Sequence, residues 1–204
     1  MSPLSVLATL PPATVAAVLG GVLLIASLLV AWRIYRRRRE QAAQLRAITD
    51  CAYEYLRNVL VPDPQGVPLH IDFLLMTSRG IVVVDLRDLA GNVFGGDQMD
   101  EWTVINGAQR FTFGNPQAGL YDRQASVRLV ARETPVEGRI VFGKRSLFPK
   151  GLPSHTRMLS ALASDFPLDE RQPLEGLPEA WLADWRNVKD ACKPSSLVAP
   201  KAAI

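Results

Sequence analysis

Residues 70–91 read HIDFLLMTSRGIVVVDLRDLAG. Two apolar runs, Leu69–Met76 and Ile81–Leu86, flank the polar stretch Thr77-Ser78-Arg79-Gly80, a pattern that predicts a β-hairpin. Ile81-Val82-Val83-Val84 is apolar at every position rather than at alternate ones. That continuity predicts a strand buried on both faces. If Ser78-Arg79 form the loop, Thr77 pairs with Gly80 and Asp72 falls opposite Asp85. Directly opposed side chains share a face, with Cβ atoms about 4.5–5.5 Å apart. Arg87, two residues past Asp85, points to the same face. A bulge in the loop would make the pairing diagonal.

Two carboxylates and one cation on one face allow two kinds of chemistry. Close carboxylates repel unless a proton or a cation neutralises them. A divalent ion held by oxygen ligands is one neutraliser, and such an ion can stabilise phosphate charge and activate water. The Arg87 guanidinium, bridging Asp72 and Asp85 as a structural ion pair, is the other. Geometry alone leaves both open.

Around the hairpin the chain alternates helical and strand patterns. Leu45, Ile48, Ala52, Tyr55, Leu56 and Val59 recur at helical spacing, predicting a helix over residues 40–60. Trp102–Ile105 and Arg110–Phe113 predict a second hairpin around Asn106-Gly107. Helices are predicted within Gln117–Arg132, over Thr156–Phe166 and over Glu179–Cys192, with a strand at Gly138–Phe142. Residues 167–178 are Pro-rich, and 193–204 read as a flexible tail. Trp181 and Trp185 read as packing anchors. No P-loop, nucleophile elbow, dinucleotide fingerprint or internal repeat is present.

The N-terminal region reads differently. Residues 13–32, ATVAAVLGGVLLIASLLVAW, carry no charge, and twenty residues span roughly 30 Å as a helix. Arg33, Arg36, Arg37, Arg38 and Arg39 follow at once. A basic flank of this kind stays on the cytoplasmic side, predicting an anchor with residues 1–12 outside and the rest in the cytoplasm. The expected localisation is thus the cytoplasmic (inner) membrane, single-pass. A cleaved signal peptide fits poorly, because arginine rather than small residues follows the apolar run. The same arginines could bind anionic lipid headgroups.

The 204-residue chain has 48% apolar and 21% charged residues, a globular composition. Its net charge of +3 invites a nucleic-acid reading. However, five arginines and no acid lie before residue 40, so the other 18 of the 23 basic groups face 20 acidic ones. The body is therefore slightly acidic, and bulk charge gives nucleic-acid binding no support. Two distant cysteines, Cys51 and Cys192, exclude a disulfide scaffold and suit a reducing compartment.

The order of HIDFLLMTSRGIVVVDLRDLAG, then Trp102, then Phe-Gly-Asn-Pro resembles the nuclease-related domain (NERD) family over roughly residues 40–145. Asp72 stands at the family's first acid and Asp85 at the acid of its second strand. Arg87 stands at the Lys of its Glu-x-Lys, Gly91 at its Gly and Trp102 at its Trp. Asn115-Pro116 matches its Asn-Pro, and Gln124 or Gln117 its Gln. The resemblance implies an α/β fold: a restriction-endonuclease-like mixed sheet core flanked by helices over residues 40–166, here preceded by one transmembrane helix. It also implies Mg²⁺-dependent cleavage of DNA or RNA. Asp72 and Asp85 would hold the metal, Arg87 would bind the phosphate, and Gln124 would assist orientation.

Two departures matter. Asp85 for Glu shortens the carboxylate by one methylene. Arg87 for Lys removes any general-base role, because a guanidinium stays protonated. A third acid would have to be Glu40 or Glu54, which lie about 105° and 145° from the apolar stripe of the predicted helix. His70 and His155 read as isolated packing or surface residues. Two functions therefore stand at this point: a membrane-anchored metal-dependent nuclease, and an inactive nuclease-like fold serving as a membrane-tethered interaction module. A lipid-surface regulator acting through the arginine run is a third, weaker reading.

Overall fold

The computed structural model describes residues 12–64, 66–168 and 173–195. The chain divides into two units, residues 1–43 and 44–204. A helix, α1 (Pro12–Thr49), runs through the first unit and into the second. Within it Leu19–Thr49 is long and apolar enough to cross a membrane, with a mean hydropathy of 1.5 over its most apolar window. Leu23, Leu24 and Ile25 lie exposed along it. Past the apolar stretch the side chains pair along the helix. Arg36 bonds Glu40 one turn on, at 3.2 Å. The Arg36 and Arg39 guanidiniums lie over the Trp32 and Tyr35 rings.

The second unit is mixed α/β. Its larger sheet contains β1 (Glu54–Val61), β2 (Leu69–Thr77), β3 (Gly80–Arg87), β7 (Val136–Phe142), β9 (Thr156–Met158) and β10 (Lys193–Pro194). The order is β10-β1-β2-β3-β7-β9. β3–β7 and β7–β9 pair parallel, and the other neighbours pair antiparallel. The smaller sheet holds β4 (Gly91–Phe94), β5 (Glu101–Asn106), β6 (Gln109–Gly114) and β8 (Ser146–Leu147), in the order β6-β5-β4-β8. Among the described residues, three α-helices join these sheets: α2 (Pro116–Val130), the short α3 (Leu162–Asp165) and α4 (Glu179–Ala191).

β3 is buried from Gly80 to Asp85, as its unbroken apolar run predicts. Alternate residues face opposite sides. Ile81 and Val83 join Leu120 and Val127 of α2 and Trp185 and Val188 of α4. Val82 and Val84 join Ile48 of α1, Leu162 of α3 and Phe166. Each fully buried Val, Leu or Ile contributes about 1.5–3 kcal/mol, so this strand anchors both cores.

Three expectations about the larger sheet need correction. The helix predicted over 40–60 ends at Thr49, and Glu54–Val61 is a strand. Leu56 and Val59, three apart, suit a helix, whereas Val59 and Val61, two apart, suit a strand, and pairing along β2 over seven residue pairs decides for the strand. Thr156–Phe166 is not one helix. Thr156–Met158 pairs with β7, and a 3₁₀ turn leads into α3. Finally, the stretch read as a flexible tail begins as structure. Lys193 and Pro194 pair with β1, and Ser195 N donates to Asn58 O at 2.8 Å. Residues 196–204 lie outside the described residues, as does the expected N-terminal segment up to residue 11.

Candidate functional site

The hairpin loop is the two-residue Ser78-Arg79, with Thr77 opposite Gly80 and Phe73 opposite Val84. Carried one step further, this register sets Asp72 opposite Asp85. Both side chains fall on the face that carries Leu74 and Val83, under α2. The regular ladder ends there: Leu86 N donates to Asp72 Oδ2 at 2.8 Å instead of to a main-chain carbonyl.

Asp85 is 5% exposed and carries two guanidinium groups. Arg87 Nη2 donates to its Oδ2 at 2.8 Å and Arg123 Nη1 to the same atom at 3.2 Å. Arg123 reaches in from α2, and its Nε also donates to His70 O at 2.6 Å. The Arg87 pairing is therefore with Asp85, and a second arginine completes the neutralisation. Asp72 has the weaker partner. His70 Nδ1 lies 3.8 Å from its Oδ1. Burial pushes the Asp72 carboxyl above the ordinary aspartate range. The Leu86 N–H opposes this, the Asp85 charge reinforces it, and His70 and Arg87 oppose it more weakly. His70 Nε2 and Arg87 Nε are buried without a hydrogen-bond partner.

This donor set does not suit a resident Mg²⁺. A hard dication needs several oxygen ligands with free lone pairs. Here one carboxylate already bonds two cations and the other accepts a backbone N–H. Among the described residues no group of three or more His, Cys, Asp or Glu is placed to hold a metal. Neither acid considered as a third ligand joins the pair. Glu40 pairs with Arg36. Glu54 opens β1, where it accepts from Trp185 Nε1 and Lys189 Nζ, contacts that hold its carboxyl below the usual range.

The two glutamines serve elsewhere. Gln124 is buried on α2, and its Nε2 donates to Val136 O at 2.7 Å, on the side of β7 away from β3. Gln117 Nε2 donates to Asp97 Oδ1 at 2.7 Å and to Ser154 O at 2.8 Å, tying a loop of the smaller sheet to the segment before β9. Asn115-Pro116 starts α2: Asn115 Oδ1 accepts from Gln117 N at 2.9 Å, and proline occupies the first turn. Trp102 is wholly buried, stacked on Phe142 with ring centroids 6.2 Å apart. Gly91 has φ 118°, and a Cβ there would lie 2.4 Å from Ile105 O, so only glycine closes this turn onto β5. These residues build the domain around the hairpin.

Arg123 went unremarked in the sequence. Its signal is helical phase: it lies three residues past Leu120 and four before Val127, both fully buried. A basic residue on the buried face of α2 needs a carboxylate, and Asp85 is the one it meets. His70 also proves less isolated than it reads.

The family profile described as Nuclease-related domain (NERD) matches residues 35–143. Comparison with curated proteins and with solved structures gives no match.

Proposed function

The chain belongs to the nuclease-related domain family, and on that footing we propose that it is a membrane-anchored, non-hydrolytic member whose Asp72–Asp85 pair is structural. The observation that carries this reading is the double arginine pairing of Asp85. A buried carboxylate held by two guanidiniums is neutralised without a metal ion. The arginine at the position of the family's lysine cannot accept a proton from water. In this reading the domain works as an interaction module held at the membrane by α1. The arginines at 33 and 36–39 lie at the cytoplasmic headgroup level, and residues 40–204 lie in the cytoplasm.

One observation favours a metal-dependent nuclease instead. Arg87 Nε is a buried donor without a partner beside both carboxylates. A phosphate oxygen would satisfy it. In that reading Asp72 and Asp85 would hold the metal only if both arginines left Asp85, and Gln124, bonded to Val136 O, would take no part.

Two measurements on the full chain in detergent micelles separate the readings. Titration calorimetry with Mn²⁺ gives no binding heat in the structural reading. Labelled single- and double-stranded DNA and RNA with Mg²⁺ or Mn²⁺ remain intact. Cleavage abolished by Asp85→Ala, or Mn²⁺ binding abolished by Asp72→Asn, overturns it. Anchoring is tested by carbonate extraction: the chain stays in the membrane pellet, and release into the supernatant refutes the anchor.

A further inference from the structure

A second feature lies on the other side of β7. β9 pairs with β7 only from Ile140 onward, so among the described residues no strand lies on the side of residues 136–138 away from β3. A cleft of about 550 Å³ opens there, between α2 and the turn before β9. The outward carbonyls of this edge are already occupied. Val136 O accepts from Gln124 Nε2 at 2.7 Å and Arg128 Nη2 at 2.9 Å, and Gly138 O accepts from Arg139 Nη1 at 2.8 Å. A peptide adding as a further strand would find no free acceptors here. What the cleft still offers is donors.

Those donors are cationic. Arg128 uses one Nη on Val136 O and, among the described residues, pairs with no carboxylate. Arg157 donates from Nε to Asp165 at 2.6 Å and from Nη1 to Thr156 O at 2.9 Å, which leaves Nη2. Arg139 Nε is buried without a hydrogen-bond partner. Glu137 is shared between Arg79 at 3.1 Å and Arg139 at 2.6 Å, and Asp165 between Arg157 and Arg139. Three guanidiniums, those of Arg79, Arg139 and Arg157, thus share two carboxylates, and Arg128 adds a fourth cation. The other acid at this end is Asp97, which is held by Ser154 N and Oγ. The group keeps a cationic surplus. His155 stands at the cleft in the left-handed backbone region, φ 57°. Ile140 N donates to its carbonyl at 2.8 Å, and its ring meets Tyr121 edge-on. Strained non-glycine backbone of this kind persists where the surroundings impose it, and it collects at ligand sites.

We propose that this cleft binds a phosphomonoester, with the phosphate held by Arg128 and Arg157. The cationic surplus suits the negative charge of a phosphomonoester, and guanidinium forks fit its oxygens. The cleft is within the size range of small-molecule sites and larger than a bare phosphate fills, so it has room for an organic body beside the phosphate. The proposal does not depend on whether the Asp72–Asp85 pair is structural or catalytic.

The test is titration calorimetry on the full chain in detergent micelles, at fixed ionic strength. The probes are AMP, GMP, CMP, UMP and glucose 6-phosphate, with adenosine and glucose as controls. At least one phosphomonoester binds, and its phosphate-free counterpart does not. Arg128→Gln and Arg157→Gln each weaken that binding tenfold or more. Glutamine at 128 keeps a donor for Val136 O, and thermal melts of both variants in chloride buffer establish that they fold. Absence of binding by every probe overturns the proposal. So does equal binding of the phosphate-free control, or unchanged affinity in both folded variants. A single-stranded oligonucleotide that binds more tightly than any monoester, with the same dependence on Arg128, also overturns it in favour of a nucleic-acid site.

Discussion

Replacing Asp85 with asparagine distinguishes a structural carboxylate from a catalytic one by the sign of its effect on stability. In the folded chain Asp85 is 5% exposed and holds Arg87 at 2.8 Å and Arg123 at 3.2 Å. Hydrogen bonds to charged groups are worth roughly 1.5–3 kcal/mol each, so the pair represents roughly 3–6 kcal/mol before discounts. Asparagine keeps one acceptor oxygen. The arginine side chains are 35% and 24% exposed, so solvent screens part of the attraction. Relief of the repulsion that Asp85 exerts on Asp72 returns a little more. The expected net loss is about 2 kcal/mol, or about 4–8 °C in melting temperature for a chain of this size. Tryptophan fluorescence during thermal unfolding in detergent micelles reads it, reporting the buried Trp102 and Trp185. A metal-ligating pair would behave oppositely: removing one of two repelling carboxylates stabilises the metal-free protein. An unchanged or raised melting temperature in Asp85→Asn therefore refutes the structural assignment.

Three further outcomes follow from the geometry. Asp72→Asn stabilises the chain above pH 4. The folded carboxyl has its pKa raised above the ordinary 3.8, so the native state holds the proton more tightly than the unfolded chain. Stability then falls as pH rises from that value through the folded pKa, and the variant, free of this penalty, gains on the parent across a pH series of melts. A melting difference that does not change with pH contradicts it. Gly138→Ala places a Cβ 2.9 Å from Leu120 Cγ and 3.1 Å from Gln124 Oε1, so α2 must move off β7, at a cost of about 1–3 kcal/mol by chemical denaturation. Arg123→Met removes a cation while keeping its apolar length. It lowers the melting temperature in the parent but much less in an Asp85→Asn background, a coupling that a double-mutant cycle measures.

The hairpin was legible in the sequence because its information is local. A two-residue loop and a period of two are enough to place Asp72 and Asp85 on one face, and the run 81–84 is enough to bury β3. Where neighbouring apolar residues point to different periods, local reading fails. Leu56 and Val59 have helical spacing, Val59 and Val61 have strand spacing, and only pairing with β2 decides. Thr156–Met158 has no strand pattern of its own and is a strand because β7 offers an edge. In the second hairpin the predicted Asn106-Gly107 turn lies one residue early. Asn106 pairs with Gln109, and Gly107-Ala108 form the loop. Arg123 lies 38 residues from Asp85, and no spacing rule connects them. Only the phase of α2 against its buried face does. Gln124 is on that same face, yet its amide is used on the edge of β7, a destination that composition does not encode.

If the domain is held at a membrane as proposed, the lateral boundaries of the larger sheet have a consequence. Proteins confined to a surface meet one another at high density and in restricted orientations, and unpaired strand edges are where neighbouring copies fuse. One boundary here ends in Lys193-Pro194, a two-residue strand whose proline has no N–H to offer. The other ends in a three-residue strand, and below it the side chains of Gln124, Arg128 and Arg139 occupy the β7 carbonyls. At these positions, crowding on a two-dimensional support finds few main-chain groups free to join one sheet to the next; beyond β10 the outer edge of β1 is left to residues 54–57, where charged side chains flank it.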